Sequence, residues 1–189
     1  VMDFNDTYRV VAKTYLKISD DLKIFSPIYS LAPKHPFPQA LNETVRLYQY
    51  LLKQGFSHDH IFIAGDSAGG GLSIAATLYF RDHDIPLPKA LIVMSPWTNL
   101  AMNGKSHEEN KHLDPLFGEG TKPLNISAYV RRNDVTNPYI SPKYGDFTRF
   151  TDMLMFVGGD ELIESDTLDV AEAAKDNNEV IVHDFLGMF

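Results

Sequence analysis

The stretch His60-Ile61-Phe62-Ile63-Ala64-Gly65-Asp66-Ser67-Ala68-Gly69-Gly70-Gly71-Leu72 decides the fold. Residues 60–64 are an apolar run without alternation, as expected of a strand buried on both faces of a parallel sheet. Beyond Ser67 the positions Leu72, Ile74, Ala75, Ala76, Leu78 and Tyr79 have helical spacing up to Asp82. A Gly-x-Ser-x-Gly pattern alone is weak, because it arises by chance. Placed between a strand and a helix it gains a mechanical meaning. Gly65 and Gly69 remove Cβ atoms that would collide when the serine is forced into a sharp turn. Ser67 is then a candidate nucleophile at a helix N-terminus, where the dipole and free N–H groups favour negative charge, and the N–H of Ala68 is a candidate oxyanion donor. The competing reading is a serine that merely caps the helix.

Working outward, strand-like and helix-like segments alternate. Asn5-Asp6-Thr7 can cap a helix running through Tyr8, Val11, Tyr15 and Leu16. Residues 22–29 read as a strand ended by Pro33, Pro36 and Pro38, and 39–54 as a helix stopped by Gly55. Strands are expected at 89–95, 152–158 and 180–185, with an Ala-rich helix at 167–175. The alternation predicts an α/β fold with a mostly parallel sheet and helices on both faces. Residues 102–144 break the rhythm, carrying one helix around 124–132, and are read as a lid or pocket wall, with a plain surface loop as the alternative.

With 44% apolar residues and 12% aromatics, 189 residues suffice for one hydrophobic core, which argues against disorder. The net charge of −8 is spread along the chain without a Lys/Arg cluster, so no nucleic-acid partner is expected. No apolar run approaches the roughly 20 residues of a membrane span. Cysteine is absent, which excludes disulfides and thiolate metal sites and leaves the compartment open, with the cytoplasm as the expected location.

Gly65-Asp66-Ser67-Ala68-Gly69-Gly70, preceded by Tyr29-Ser30-Leu31-Ala32-Pro33-Lys34-His35-Pro36-Phe37-Pro38 and followed by Ser95-Pro96-Trp97-Thr98-Asn99-Leu100, resembles the hormone-sensitive-lipase-type branch of the α/β-hydrolases. Asn137-Pro138-Tyr139-Ile140-Ser141-Pro142 and Gly187-Met188-Phe189 are similar to later landmarks of that branch, in the same order. The resemblance implies hydrolysis of short- to medium-chain acyl esters through an acyl-enzyme, with a small-molecule ester as partner and without metal or cofactor. It also implies an acid after the strand 152–158. Ungapped alignment through Ala171-Glu172-Ala173 puts Glu161 at that position and Asp166 at a downstream acidic landmark. Counting back from the expected histidine favours Asp160 instead. Glu161 is preferred, because a deletion near Asn177-Asn178 is cheaper than rotating a helix by about 100°.

The resemblance places the histidine base directly after Phe189 and the oxyanion loop just before Val1, with Val1-Met2-Asp3 similar to the residues on the C-terminal side of that loop. These 189 residues are thus expected to be the central part of an α/β-hydrolase domain, with little turnover when isolated. His183 comes too early and sits in a strand; His35, His58, His60, His83, His107 and His112 precede the acid and read as surface or turn residues. Two alternatives stay open: a non-catalytic small-molecule receptor on the same scaffold, as gibberellin receptors are, or an amidase or deacetylase. Trp97 either packs in the core or lines an acyl pocket, and Asp66 either tunes the elbow or fills a turn position.

Overall fold

The computed structural model describes residues 6–122 and 125–189. The readings at Val1-Met2-Asp3, Asn5 and Leu124 lie outside the described residues. The helices are α1 (Asp6–Tyr15), α2 (Gln39–Lys53), α3 (Ala68–Asp82), α4 (Ser106–Glu109), α5 (Ile126–Val130) and α6 (Glu164–Ala174). The strands are β1 (Phe62–Asp66), β2 (Ala90–Met94), β3 (Asp152–Gly158) and β4 (Val180–Phe185).

The four strands form one sheet in the order β1-β2-β3-β4, and every neighbouring pair is parallel. Parallel strands need crossovers, and α3 and α6 supply two of them on the same face. Beneath them Leu91, Val93, Met153 and Met155 meet Ile74 and Leu78 of α3 and Val170 and Ala174 of α6, all almost fully buried. The outer side of α3 is covered in turn by α2, where Leu41, Val45 and Tyr48 pack on Ala75, Ala76 and Phe80. Helix α3 is therefore apolar all round because it lies between a sheet and a helix. On the other sheet face Ile92, Met94, Leu154 and Phe156 share a hollow with Tyr15 of α1 and with Ile18.

Three segments depart from the expectations. Strand β1 lies at an edge among the described strands, with Phe62 and Ala64 exposed rather than buried on both faces. Residues 22–29 form no strand. A strand exists only by pairing, and among the described residues nothing lies beside this mostly exposed stretch to form a ladder with it. Helix α6 begins at Glu164 rather than at 167, so Asp166 lies inside its first turn.

The glycines of the elbow divide differently from the expectation. A Cβ at Gly65 would collide with the Gly69 carbonyl and the Ser73 hydroxyl, as anticipated. A Cβ at Gly69 would meet nothing nearer than the Tyr29 hydroxyl at 3.9 Å. The crowded positions are instead Gly70, pressed against Pro96, and Gly71, pressed against the Trp97 carbonyl. Gly71→Ala is accordingly expected to lose about 1–3 kcal/mol through forced separation of α3 from the 95–97 turn. Gly69→Ala should be neutral or stabilising by up to about 1 kcal/mol. Urea unfolding of the two variants checks both, and equal effects would refute the packing asymmetry.

Candidate active site

Ser67 sits between the end of β1 and the start of α3 with φ 51° and ψ −121°, a conformation a non-glycine residue adopts only when its surroundings enforce it. Three hydrogen bonds do so: the Ser67 N–H donates to the Met94 carbonyl at 2.9 Å, and the Ser67 carbonyl accepts from the N–H groups of Trp97 at 2.9 Å and Gly71 at 3.1 Å. The Ala68 N–H is at the first position of α3 and donates to nothing among the described residues, as the geometry of a helix start requires. Asp66 ends β1 rather than filling a turn, and its carboxylate accepts the Tyr8 hydroxyl at 3.2 Å.

The two candidate acids have different surroundings. The Oε1 of Glu161 accepts the Ser95 hydroxyl at 2.6 Å and the Gly158 N–H at 3.0 Å. Ser95 lies just past β2 with φ 44°, and its own N–H bonds to the Phe156 carbonyl, so it reaches across the strand ends to the acid loop. Burial raises the Glu161 carboxyl above its ordinary value, while the Ser95 and Gly158 donors pull it back down. The side chain of Asp160 makes no hydrogen bond or ion pair among the described residues; its N–H donates to the Met188 carbonyl at 2.8 Å. That bond, with Gly159 N–H to the Phe185 carbonyl at 3.0 Å, folds residues 185–188 onto the acid loop.

The first half of the 102–144 excursion grips the same loop. Asn110 Nδ2 donates to the carbonyls of Gly159 at 3.0 Å and Glu161 at 2.8 Å. Asp114 Oδ2 accepts the Leu162 N–H at 2.7 Å, and the Ser106 hydroxyl donates to the Leu162 carbonyl at 2.7 Å. Next to this cluster Asp166 is fully buried, with Oδ2 accepting the N–H groups of Thr98 at 3.0 Å and Asn99 at 2.9 Å. His107, read from sequence as a surface residue, is buried at 8% exposure with Nε2 3.6 Å from Asp166 Oδ1. Its Nδ1 accepts the Gly104 N–H, so the ring presents an Nε2–H to that carboxyl. Burial drives both toward neutrality, raising Asp166 to about 7 and lowering His107. His183 is exposed on β4 and stacks on Phe156.

The second half of the excursion borders a cavity of about 240 Å³ beside the first turn of α3. Ala40, Ala68, Leu72, Ala75, Leu100 and Ile140 give it apolar walls, and Trp97 lines it rather than joining the core. Tyr29, Tyr129, Ser30 and Asn125 also line it. Sequence reading reached Ser67, Ala68 and Glu161 but not Ser95, Asn110 or Asp114. The only signal for Ser95 was its place in the Ser-Pro-Trp landmark, and Asn110 and Asp114 lie in a polar stretch that looks like surface.

A family model described as alpha/beta hydrolase fold matches residues 9–189. The chain is 36% identical over 146 residues to an acetyl-hydrolase of Streptomyces hygroscopicus, covering 77% of this chain and 49% of that protein. It is 31% identical over 180 residues to an esterase of Acinetobacter venetianus, covering 94% and 58%. An esterase from the bacterial hormone-sensitive lipase family superposes with a TM-score of 0.80 at 32% identity, covering 85% of this chain and 54% of that one. The chain thus spans about half the length of the relatives it matches. Among the described residues no helix is long and apolar enough to cross a membrane.

The electrostatics of the site lead to two measurable outcomes. Ser95→Ala removes a donor to the charged form, so the Glu161 pKa should rise, read by carbon NMR of the labelled carboxyl; an unmoved pKa would refute the contact. For Asp166, burial puts the folded value at about 7 against an ordinary 3.8, so the folded state keeps a proton the unfolded chain has lost. Its stabilising contribution is full below the unfolded value and disappears as pH rises through the folded one. The stability of the wild type relative to Asp166→Asn should therefore fall by on the order of 2 kcal/mol between about pH 5 and about pH 8 in urea titrations.

Proposed function

Because the chain belongs to the α/β-hydrolase fold family, on its hormone-sensitive-lipase-type branch, we propose that the protein cleaves carboxylic esters with Ser67 as nucleophile and Glu161 as the acid that orients a histidine base. The observation that carries the reading is the strained Ser67 backbone, held by three hydrogen bonds at the N-terminus of α3. Such strain is retained where the residue it holds is used.

In the proposed cycle Ser67 Oγ attacks the ester carbonyl carbon while the histidine takes its proton. The carbonyl oxygen becomes an oxyanion and accepts the Ala68 N–H, whose position at a helix start costs no reorganisation. Collapse expels the alcohol, which leaves with the proton from the histidine. Water then enters, gives its proton to the same base and releases the acid from Ser67.

Glu161 is favoured over Asp160 because two donors occupy Oε1 and leave Oε2 for the imidazole N–H, whereas nothing orients Asp160. The base is expected to come directly after Phe189 in the full-length protein. Support comes from the Met188 carbonyl, which is hydrogen-bonded to Asp160 and lies against Gly158, so the chain beyond Phe189 emerges beside Glu161. Of the histidines described, His107 is buried beside Asp166 and His183 stacks on Phe156. The apolar cavity of about 240 Å³ suits a short- to medium-chain acyl group, with residues 125–140 of the excursion as a pocket wall.

In the full-length protein Ser67→Ala should abolish labelling by a fluorophosphonate probe and ester turnover together. Glu161→Gln should lower kcat by about four orders of magnitude and Asp160→Asn by less than about tenfold. The reverse ranking of the two acids would overturn the assignment, and an unlabelled Ser67 would favour a non-catalytic receptor.

A further inference from the structure

The sequence holds one Asn-Gly pair, Asn103-Gly104, in the first half of the excursion. In such a pair the glycine nitrogen can attack the side-chain carbonyl of the asparagine, because the five-membered ring that forms meets no Cβ on the glycine. Helices and strands suppress the reaction by binding that N–H to a carbonyl, which cannot take up its proton. Asn103 lies outside every helix and strand, just ahead of α4, and is exposed to water. The Gly104 N–H is not bonded to a carbonyl either. It donates to Nδ1 of His107 at 2.9 Å, and an imidazole nitrogen is a base.

The other participants are in place as well. Gly104 is wedged against the His107 ring and the Ser165 hydroxyl, with no room for a Cβ, so its N–H is held on the base. Burial lowers the His107 pKa, which keeps the ring neutral and the Nδ1 lone pair free at neutral pH. On the far side of the ring Nε2 lies 3.6 Å from Asp166 Oδ1, so a carboxyl faces the imidazole as it gains a proton. Attack on the Asn103 carbonyl puts negative charge on Oδ1, and two donors already meet that atom: Asn99 Nδ2 at 3.0 Å and the Tyr144 hydroxyl at 3.2 Å. Asn103 Nδ2, the group to be expelled, is hydrogen-bonded to nothing among the described residues.

We propose that Asn103-Gly104 is a self-modification site, at which His107 is the base that converts Asn103 to aspartate and isoaspartate. His107 Nδ1 takes the Gly104 N–H proton as that nitrogen bonds to Asn103 Cγ, and Asn99 and Tyr144 hold the oxyanion. The imidazolium then gives the proton to Nδ2, the Cγ–Nδ2 bond breaks, and ammonia leaves behind a succinimide. Water opens that ring. Attack at Cγ frees the Gly104 nitrogen and yields aspartate; attack at the main-chain carbonyl yields isoaspartate, with the backbone rerouted through Cγ. No step uses Ser67 or Glu161, so the inference stands apart from the esterase reading. The isoaspartyl link lengthens the main chain by one carbon at the root of the segment whose Ser106 and Asn110 hold the Glu161 loop.

The test incubates the full-length protein at neutral pH, folded in buffer and unfolded in urea, and follows the tryptic peptide 90–105 by mass spectrometry, with an isoaspartyl methyltransferase assay for the rearranged product. Asn99, in the same peptide, serves as the internal control and should stay unmodified. Asn103 should convert at least about tenfold faster in the folded protein than in urea. His107→Gln should slow the folded rate by about a hundredfold, and Tyr144→Phe by about tenfold. A folded rate no faster than the urea rate would overturn the inference and leave an ordinary Asn-Gly pair, and so would a His107→Gln rate equal to that of the wild type. If His107→Gln does not fold, Tyr144→Phe decides in its place: a slowed conversion supports the assignment and an unchanged one overturns it.

Discussion

The close approach of α3 to the turn after β2 is the constraint on which the rest depends. Gly70 and Gly71 let the helix backbone come against Pro96 and the Trp97 carbonyl, and the Trp97 N–H donates to the Ser67 carbonyl. With the Ser67 N–H on Met94, the elbow is clamped from β2 on two sides. A positive φ at Ser67 is tolerable because these contacts leave no other backbone path between β1 and α3. The same approach places Trp97 at the rim of the cavity and Ser95 at the strand ends, where its hydroxyl reaches Glu161. One packing contact thus sets the positions of the serine, the cavity wall and the anchor of the acid.

The acid loop is held by a different device. A loop crossing the end of a parallel sheet has carbonyl and N–H groups that no strand satisfies. Here the excursion between β2 and β3 satisfies them, through Ser106, Asn110 and Asp114, and Asp166 returns the tie to the 98–99 backbone. The excursion therefore has two parts with separate duties. Its first half fixes the loop bearing Glu161, and its second half borders the cavity. Buried polar groups dominate the first part, and mostly apolar side chains of the second face the cavity.

Much of this was legible in the chain. The strand-turn-helix around Ser67, the parallel sheet and the acid-bearing loop arise from local pattern, because apolar runs, glycine positions and helical spacing are properties of short windows. Where local pattern misled, a distant neighbour was responsible. Residues 22–29 look like a strand and are not one, since nothing described lies beside them to pair with. His107 looks like a surface histidine and is buried, because Asp166 comes to meet it from another part of the chain. Gly69 looks sterically obligatory and faces open space, while Gly71 carries the contact.

By itself, then, the sequence determined which residue stands at the elbow and in what kind of fold, since both depend on contacts within about a dozen neighbouring residues. Only the tertiary structure decided which carboxylate is anchored, Glu161 through Ser95 and Gly158 against an unattached Asp160. It alone brought Tyr29 and Tyr129 to the lining of one cavity. The physical reason is separation along the chain: Ser95 and Glu161 are 66 residues apart. No local propensity records a hydrogen bond that exists only once β2 and β3 lie side by side.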